Sequence, residues 1–268
     1  MSIRIDSIAS YNAFTNLSAS STSLTDSMRR VATGIKMSQD DGAAVGISEY
    51  MRAQAKSTAM ARNNVENAIS AVQTADGWMQ KVNDILGRMS ELAIESNDIT
   101  KSSTDRTNIQ QEYSQLKSEI NRIASSGAKF NGVGLLNGSL SGSTQVGADS
   151  GQTISVSLTS LTSLTANLGS VSTAAAAASA ITNLKTAITT VNQARAKAGG
   201  IQQRLSNTQG GLLTYEDNLR AAEAKVRDVN MAREVTVMMK FQVLTQVGTA
   251  MLAQSNASFQ SLPQLVGD

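Results

Sequence analysis

The sequence predicts a mainly α-helical fold, in which the N- and C-terminal halves form a long antiparallel helical bundle or coiled coil around a small β-hairpin region. Apolar residues recur at steps of three and four over residues 65–93, 109–123 and 181–229, which places them on one side of a helix. The third stretch contains one extra three-residue step. Pro263 is the only proline, so no proline interrupts the preceding helices. Residues 130–158 instead combine Gly-Asn turns with period-two alternation.

The first predicted helix covers residues 17–37, with Gly34 near its end or at a bend. Its apolar positions keep a heptad-compatible spacing: Leu17, Leu24, Met28, Val31 and Ile35. A polar break follows, where Asp40 or Asp41 is a natural N-cap for a long helix over about 44–97. Two adjacent carboxylates could also bind a metal, but without another convergent ligand the helix start is favoured.

The next helix is expected to begin after the polar turn at 97–104, capped by Ser103, Thr104 or Asp105, and to end near residues 125–127. Beyond it, Gly132-Val133-Gly134 is interpreted as a turn, because it lacks the third glycine of a phosphate-binding fingerprint. A hairpin is predicted where residues 144–147 pair with 153–158 across a turn at 148–151.

A further helix is predicted to begin at residue 174, and its sequence contains two glycine pairs. Gly199-Gly200 and Gly210-Gly211 either cost helix stability or allow close backbone contact with a neighbour. From Phe241 to Gly267 there is no charged residue. The apolar stripe of this tail is expected to be buried in an assembly, and it consists of Phe241, Leu244, Val247, Met251 and Leu252.

The composition excludes several functions. The chain has no His and no Cys, which removes thiol nucleophiles, Ser-His-Asp triads and zinc sites built from His or Cys. The formal net charge of +2 is spread out, so no nucleic-acid partner is expected. No apolar run approaches the roughly 20 residues of a membrane span. We therefore expect no enzyme, no metal site, no cofactor and no membrane insertion.

Collinear sequence blocks over nearly the whole chain resemble bacterial flagellin. In the N-terminal half they are residues 32–48, 63–77, the Phe130-Asn131-Gly132-Val133 signature and the hairpin at 146–154. In the C-terminal half they are residues 203–205, 221–223, 227–232 and 251–256. Each block is weak by itself, but their shared order makes the resemblance strong.

The resemblance implies a structural subunit that polymerises into the extracellular flagellar filament for motility. Such a subunit is exported unfolded through the flagellar type III apparatus. Its implied partners are other copies of itself, a flagellar export chaperone, the filament cap and the hook–filament junction proteins. Since only about residues 130–173 separate the helical halves, the chain is expected to be a minimal flagellin without variable outer domains.

The resemblance also implies two domains. Residues 1–44 and 227–268 would form the inner coiled-coil core, and residues 45–226 the outer helical bundle with a β-hairpin near 130–160. The inner-core contacts would come from the two apolar stripes named above, Leu17 to Ile35 and Phe241 to Leu252. Arg88, Glu91, Leu92 and Glu112 align with positions where the family contacts a vertebrate innate receptor, although they also suit ordinary helix-surface and packing roles.

Two other functions and one question of modification remain open at the level of sequence. A hook–filament junction protein would share the terminal helices. A secreted, membrane-active helical translocator would use amphipathic faces, but the chain lacks Lys-rich ones. The Ser/Thr-rich residues 139–173 either carry O-linked sugars or form a plain solvated surface.

Overall fold

The computed structural model describes the backbone of residues 2–37 and 39–265, and the side chains of residues 11–37 and 39–257. Five long helices account for most of the chain, and the predicted mainly helical fold is confirmed. They are α1 (Ser2–Thr33), α2 (Gly42–Ser96), α3 (Ser103–Arg122), α4 (Ala174–Arg227) and α5 (Met231–Leu265). The chain divides into a terminal unit, within residues 1–53 and 219–268, and a central unit, residues 54–218.

The central unit contains a continuous apolar core. The long seam of α2 from Val65 to Ala93 packs with α3 and with α4 as far as Leu205. Helices α2 and α4 run antiparallel, because Asp76 pairs with Arg195 at 2.8 Å and Asn83, further along α2, donates to Asn192, earlier on α4, at 3.1 Å. The core side chains are small to medium in size, so the helices pack closely around few aromatic residues.

The segment before α4 closes this core, although its Ser/Thr-rich composition did not indicate it. Leu161, Leu164, Leu168 and Val171 are buried. The buried hydroxyl of Tyr113 donates to the Leu168 carbonyl at 2.6 Å. Leu168 follows the short 3₁₀ helix Leu164–Asn167. No further helical turn pairs with its carbonyl, and the Tyr113 side chain of α3 satisfies it instead.

Two small antiparallel hairpins lie between α3 and this segment. In the first, β1 (Lys129–Phe130) pairs with β2 (Val133–Gly134). Its turn residues, Asn131 and Gly132, have φ of 48° and 81°, which is the backbone that a two-residue turn with matching twist requires. In the second, β3 (Ser141–Gln145) pairs with β4 (Thr153–Ser157). The predicted hairpin is present, but its first strand lies earlier than expected, and the turn at 131–132 forms a hairpin of its own.

Three helix boundaries differ from the sequence prediction. Helix α1 begins at Ser2 and ends at Thr33, where Gly34 at φ 72° donates its N–H to the Arg30 carbonyl at 2.8 Å. Helix α3 is capped by Ser102, and Asp105 completes a capping box with it. At its C-terminal end α3 continues into a π-helical turn, Ile123–Gly127. Serine and aspartate three residues apart indicate such a cap, but several hydroxyl groups here compete for it.

Candidate assembly surface

Within the terminal unit, α1 and α5 lie antiparallel and face each other through a seam of partly buried side chains. The seam positions alternate in steps of three and four on both helices, as in a coiled coil. On α1 they are Ala13, Leu17, Ser20, Leu24, Ser27 and Val31. On α5 they are Met238, Phe241, Thr245, Gly248, Leu252 and Ser255. Small and hydroxyl-bearing residues hold many of these positions, so the seam is narrow and only weakly apolar.

Gly248 on α5 packs directly against Leu17 on α1. A Cβ atom there would lie 3.0 Å from Cδ1 of Leu17, so the glycine leaves the space that the leucine side chain occupies. Beside this contact is a groove of about 160 Å³, lined by Ala13, Asn16, Leu17, Ser20, Leu244, Val247, Gly248 and Met251. The residues that the structure describes leave this groove open.

A polar cluster fixes the register of α1 against the start of α5. The buried Ser27 hydroxyl donates to Glu234 Oε1 at 2.5 Å. Arg30 donates to Glu234 at 2.7 Å and forms an ion pair with Asp40 at 2.7 Å. Burial raises the pKa of Glu234, but the hydrogen bonds from Ser27 and Arg30 outweigh it, and the net pKa lies below its ordinary value. The hydrogen bond to Glu234 raises the pKa of Arg30.

Next to this cluster, backbone hydrogen bonds join the segment after α1 to the segment between α4 and α5. Ile35 and Asp228 form an antiparallel β-bridge. Lys36 N–H donates to the Arg227 carbonyl at 2.8 Å, and Val229 N–H donates to the Gly34 carbonyl at 3.0 Å. The predicted contact residue Ile35 is therefore partly buried by the same subunit.

Outside the seam, α5 presents a row of exposed apolar side chains. Met239, Val243, Val247 and Met251 follow each other at intervals of four, so neighbours along the row are adjacent on the helix surface. Their exposures are 58%, 56%, 49% and 61%. We call these four residues the α5 row. Leu244 beside them and Met28 on α1 are also exposed.

The burial of the two units differs sharply. Every buried apolar side chain of the described chain lies between Ala55 and Leu205, inside the central unit. Among the described side chains of the terminal unit, only Ser27 and Ser48 are buried. Two paired helices have too little surface in common to bury an apolar core. The terminal unit is thus an incompletely covered helical pair.

The predicted assembly residues fall on different sides of this pair. Leu17, Leu24, Val31, Phe241 and Leu252 lie in the seam, whereas Met28, Leu244, Val247 and Met251 are exposed. The sequence stripe on α5 therefore mixes two faces. Sequence reasoning missed the seam positions Thr245, Gly248 and Ser255, which share the heptad spacing but not the apolar character. Contact of the predicted assembly residues of both stripes with neighbouring subunits stays a prediction.

The four positions aligned with receptor contacts are not equivalent. Arg88 is exposed and donates to Glu112 at 2.9 Å and to Glu91 at 3.0 Å, and these hydrogen bonds raise its pKa. Leu92 is only 2% exposed and lies in the core of the central unit. A protein that docks on this side of α2 would meet the charged trio and not the Leu92 side chain.

The adjacent aspartates act at the start of α2. Asp41 Oδ1 accepts the Ala44 N–H at 2.9 Å, as an N-terminal cap does, and Asp40 accepts from Met37 N–H and from Arg30. In the part of the chain that the structure describes, Asp and Glu side chains do not form groups of three or more that could hold a metal ion. None of the described helices has both the length and the hydropathy needed to cross a membrane.

Long helices with an incompletely covered terminal pair define a class of protein, the helical subunits that complete their packing by self-assembly. Comparison with known families identifies the family within this class. Residues 6–141 match the bacterial flagellin N-terminal helical region, and residues 181–266 match the bacterial flagellin C-terminal helical region. The chain belongs to the bacterial flagellin family. This is a family of structural proteins, and only residues 142–180, which include β4, separate the two matched regions.

Similar proteins agree in length as well as in sequence. Flagellin FlaB1 of Treponema pallidum (strain Nichols) is 35% identical over 256 residues, which cover 88% of this chain and 89% of that protein. A flagellin of Halalkalibacterium halodurans is 34% identical over 262 residues, covering 95% and 96%. The crystal structure of Bacillus cereus flagellin superposes with a TM-score of 0.53 at 31% identity, covering 56% of this chain and 88% of that one.

Proposed function

We propose that this chain is the structural subunit of a bacterial flagellar filament and that it polymerises through the faces of α1 and α5. The observation that carries the proposal is the incomplete burial of the terminal unit, whose described side chains include no buried apolar residue. Family membership supports it. So does the name of a relative from Treponema maltophilum, a flagellar filament 30.7 kDa core protein, which is 34% identical over 250 residues.

The energetics favour assembly over an isolated helical pair. Ordering a backbone residue costs about 1–2 kcal/mol, and burial returns roughly 25 cal/mol for each Å² of apolar surface. The seam alone recovers little of this cost, because its residues stay partly exposed. Neighbouring subunits that cover the α5 row would supply the missing burial. We expect α1 and α5 to be frayed in the free subunit and fully helical in the filament.

The inner core of the filament would consist of residues 1–44 and 227–268, and the outer layer of residues 45–226. The uncharged segment 241–267 suits an inner wall past which unfolded chains move without electrostatic capture. The same proposal implies export through the flagellar type III apparatus and an extracellular location. It also implies an export chaperone, a filament cap and junction proteins as partners. A junction protein would be present as a single ring, so copy number separates that alternative from a filament subunit.

The exposed trio of Arg88, Glu91 and Glu112 is proposed as a contact for the vertebrate innate receptor of flagellin. The trio combines one cation with two carboxylates on an accessible helix surface. Purified monomer should activate a receptor reporter cell line, and Arg88→Ala should lower that activation. A silent wild-type monomer would remove this partner without affecting the filament proposal.

Truncation tests the assembly scheme. A chain that lacks residues 241–268 should keep the folded central unit, because its buried core lies between Ala55 and Leu205. It should not form filaments on seeds of full-length protein. Circular dichroism measures the first property and electron microscopy the second. Normal filaments from the truncated chain would overturn the scheme.

A variant with two substitutions tests the α5 row more specifically. Val243→Asp combined with Val247→Asp places two charges in the row, and we expect seeded elongation to be lost. The matched control is Thr249→Asp with Gln242→Glu, which adds two charges at other exposed positions of the same helix. Equal loss of elongation in both proteins would show that charge anywhere on α5 is harmful and that the row has no special part.

A further inference from the structure

The methionines of this chain differ widely in exposure. Met79 and Met89 are buried in the central core at 1% and 0% exposure. Met239 and Met251 are 58% and 61% exposed and form the two ends of the α5 row. Met60 in the central unit is equally exposed at 61%, outside the terminal pair. The chain thus contains buried, row and surface methionines that can be compared under one treatment.

A thioether at the end of an apolar row has a chemical weakness that valine lacks. Peroxide oxidises methionine to the sulfoxide, which turns a flexible apolar side chain into a polar one. Susceptibility follows accessibility, because the oxidant must reach the sulfur atom. Burying the sulfoxide oxygen without a hydrogen-bond donor costs free energy. The groove beside Met251 has apolar walls from Leu17, Leu244 and Val247, and Asn16 and Ser20 of α1 supply its polar part.

We propose that Met239 and Met251 are modification sites through which peroxide blocks polymerisation of the free subunit. The inference rests on the proposed function, since it assigns the α5 row to the surface that a second copy of this chain covers. In the reaction the O–O bond of the hydroperoxide breaks and one oxygen atom bonds to sulfur. The other oxygen leaves as water, or as an alcohol from an organic hydroperoxide. Sulfur loses two electrons and the peroxide gains them.

The geometry makes the block specific to subunits that have not yet assembled. In the free subunit both sulfur-bearing side chains are more than half exposed. In a filament, a neighbour seated on the row shields them from the oxidant. The modification is reversible, because methionine sulfoxide reductases restore the thioether. Oxidation therefore acts as a switch on growth and leaves existing filament intact.

The experiment compares oxidation with elongation in the full chain. Monomer is treated with hydrogen peroxide, catalase removes the excess, and peptide mass spectrometry gives the oxidised fraction at each methionine. Elongation from filament seeds then gives the critical concentration. We expect it to rise by about tenfold for each row sulfoxide, the size expected for burying one unsatisfied polar group. In intact filaments, Met239 and Met251 should oxidise more slowly than Met60.

Two variants separate the row from the other methionines. Met239→Leu with Met251→Leu keeps the apolar row and should continue to elongate after peroxide treatment. Met60→Leu is the matched control and should remain as sensitive as the wild type. If the double variant loses elongation as strongly as the wild type, the effect comes from other exposed methionines, such as Met28 and Met231, and the inference is wrong.

A second readout does not depend on any variant. Treating the oxidised wild-type monomer with the two methionine sulfoxide reductases should restore elongation in step with the loss of sulfoxide at Met239 and Met251. Full elongation by monomer oxidised at both positions would overturn the inference and leave the filament proposal standing. Failure of untreated monomer to polymerise on any seed would instead contradict the proposed function.

Discussion

Glu234 shows how a single partly buried carboxylate sets the pairing of the two terminal helices. It accepts hydrogen bonds from Ser27 on the facing side of α1 and from Arg30 one turn further along. A heptad pattern does not predict this arrangement, because both donors are polar residues within the seam region. The polar contacts specify one register for a pair whose apolar contacts are weak.

Acid should therefore loosen the terminal pair. The pKa of Glu234 in the folded chain lies below its ordinary value, which is about 4.3 for a free glutamate. The carboxylate thus stabilises the fold above this ordinary value, and the stabilisation is lost as the pH falls through the lowered pKa. Urea titrations of assembled filament, in which α1 and α5 are expected to be ordered, should show a smaller loss of stability between pH 6 and pH 3 for Glu234→Gln than for the wild type.

The control for the acid experiment is Glu66→Gln, which alters an exposed glutamate of the central unit. Its acid-induced loss of stability should match that of the wild type. If Glu234→Gln and the wild type lose the same free energy of unfolding on acidification, the ion pair with Arg30 contributes nothing measurable.

Tyr113 is the corresponding residue of the central unit. Its side chain is fully buried, and burial raises the pKa of its hydroxyl to about 12. Tyr113→Phe should lower the free energy of unfolding by about 1–3 kcal/mol, because the Leu168 carbonyl loses its donor in a buried site. Tyr50→Phe, at a tyrosine that is 65% exposed, should change it little. Chemical denaturation measures both, and equal effects would contradict this role for the hydroxyl.

At the scale of single elements, α4 is the clearest departure from propensity. It continues without a break through Gly199-Gly200 and Gly210-Gly211. Among the described residues, a Cβ added at any of these glycines would meet no atom within 4 Å apart from its own stretch of helix. Of the two interpretations that the sequence left open, close backbone contact does not arise inside the subunit. The glycines therefore lower helix stability without improving packing there.

Replacing Gly210 and Gly211 with alanine should stabilise the free subunit. Each substitution gains about 0.8–1 kcal/mol of helix propensity and meets no steric obstacle. Thermal unfolding should move to higher temperature. Gly147→Ala is the opposite case, because a Cβ there would lie 2.9 Å from the Cβ atom of Gln152, which is attached to the backbone and cannot rotate away as the end of that side chain can. That variant should be destabilised, and an unchanged melting temperature in both proteins would contradict the steric argument.

Helix α5 shows the limit of periodicity as a guide to faces. The apolar stripe was predicted correctly to lie on a helix, but its members divide between the seam and the solvent. Phe241 and Leu252 lie in the seam, whereas Val247 and Met251 are largely exposed at the edge of the groove beside it. Many α5 residues are apolar, so several stripes fit the sequence. The close approach of Leu17 to Gly248 decides which stripe faces α1.

For the whole molecule, the uneven burial predicts uneven stability. Amide hydrogens of α2 between Val65 and Ala93 should exchange slowly in the free subunit, because this stretch lies in the apolar core. Amides of α1 and α5 should exchange quickly. In assembled filament, α1 and α5 should become protected while α2 changes little. Hydrogen exchange measured by mass spectrometry tests this, and equal protection of α5 in monomer and filament would contradict the proposed assembly.

Sequence by itself determined the helices, a turn that includes Gly132, the second hairpin and the family, because these depend on local periodicity, glycine backbone freedom and collinear blocks. The turn was placed at residues 132–134, whereas Val133–Gly134 forms a strand. Only the tertiary structure decided which of several apolar stripes on α5 is covered, and that Leu92 is buried while Arg88 is exposed. It also decided that Leu161 to Val171 close the central core. Burial depends on contacts between segments far apart in the chain, and a local pattern does not specify which distant segment packs against a given face.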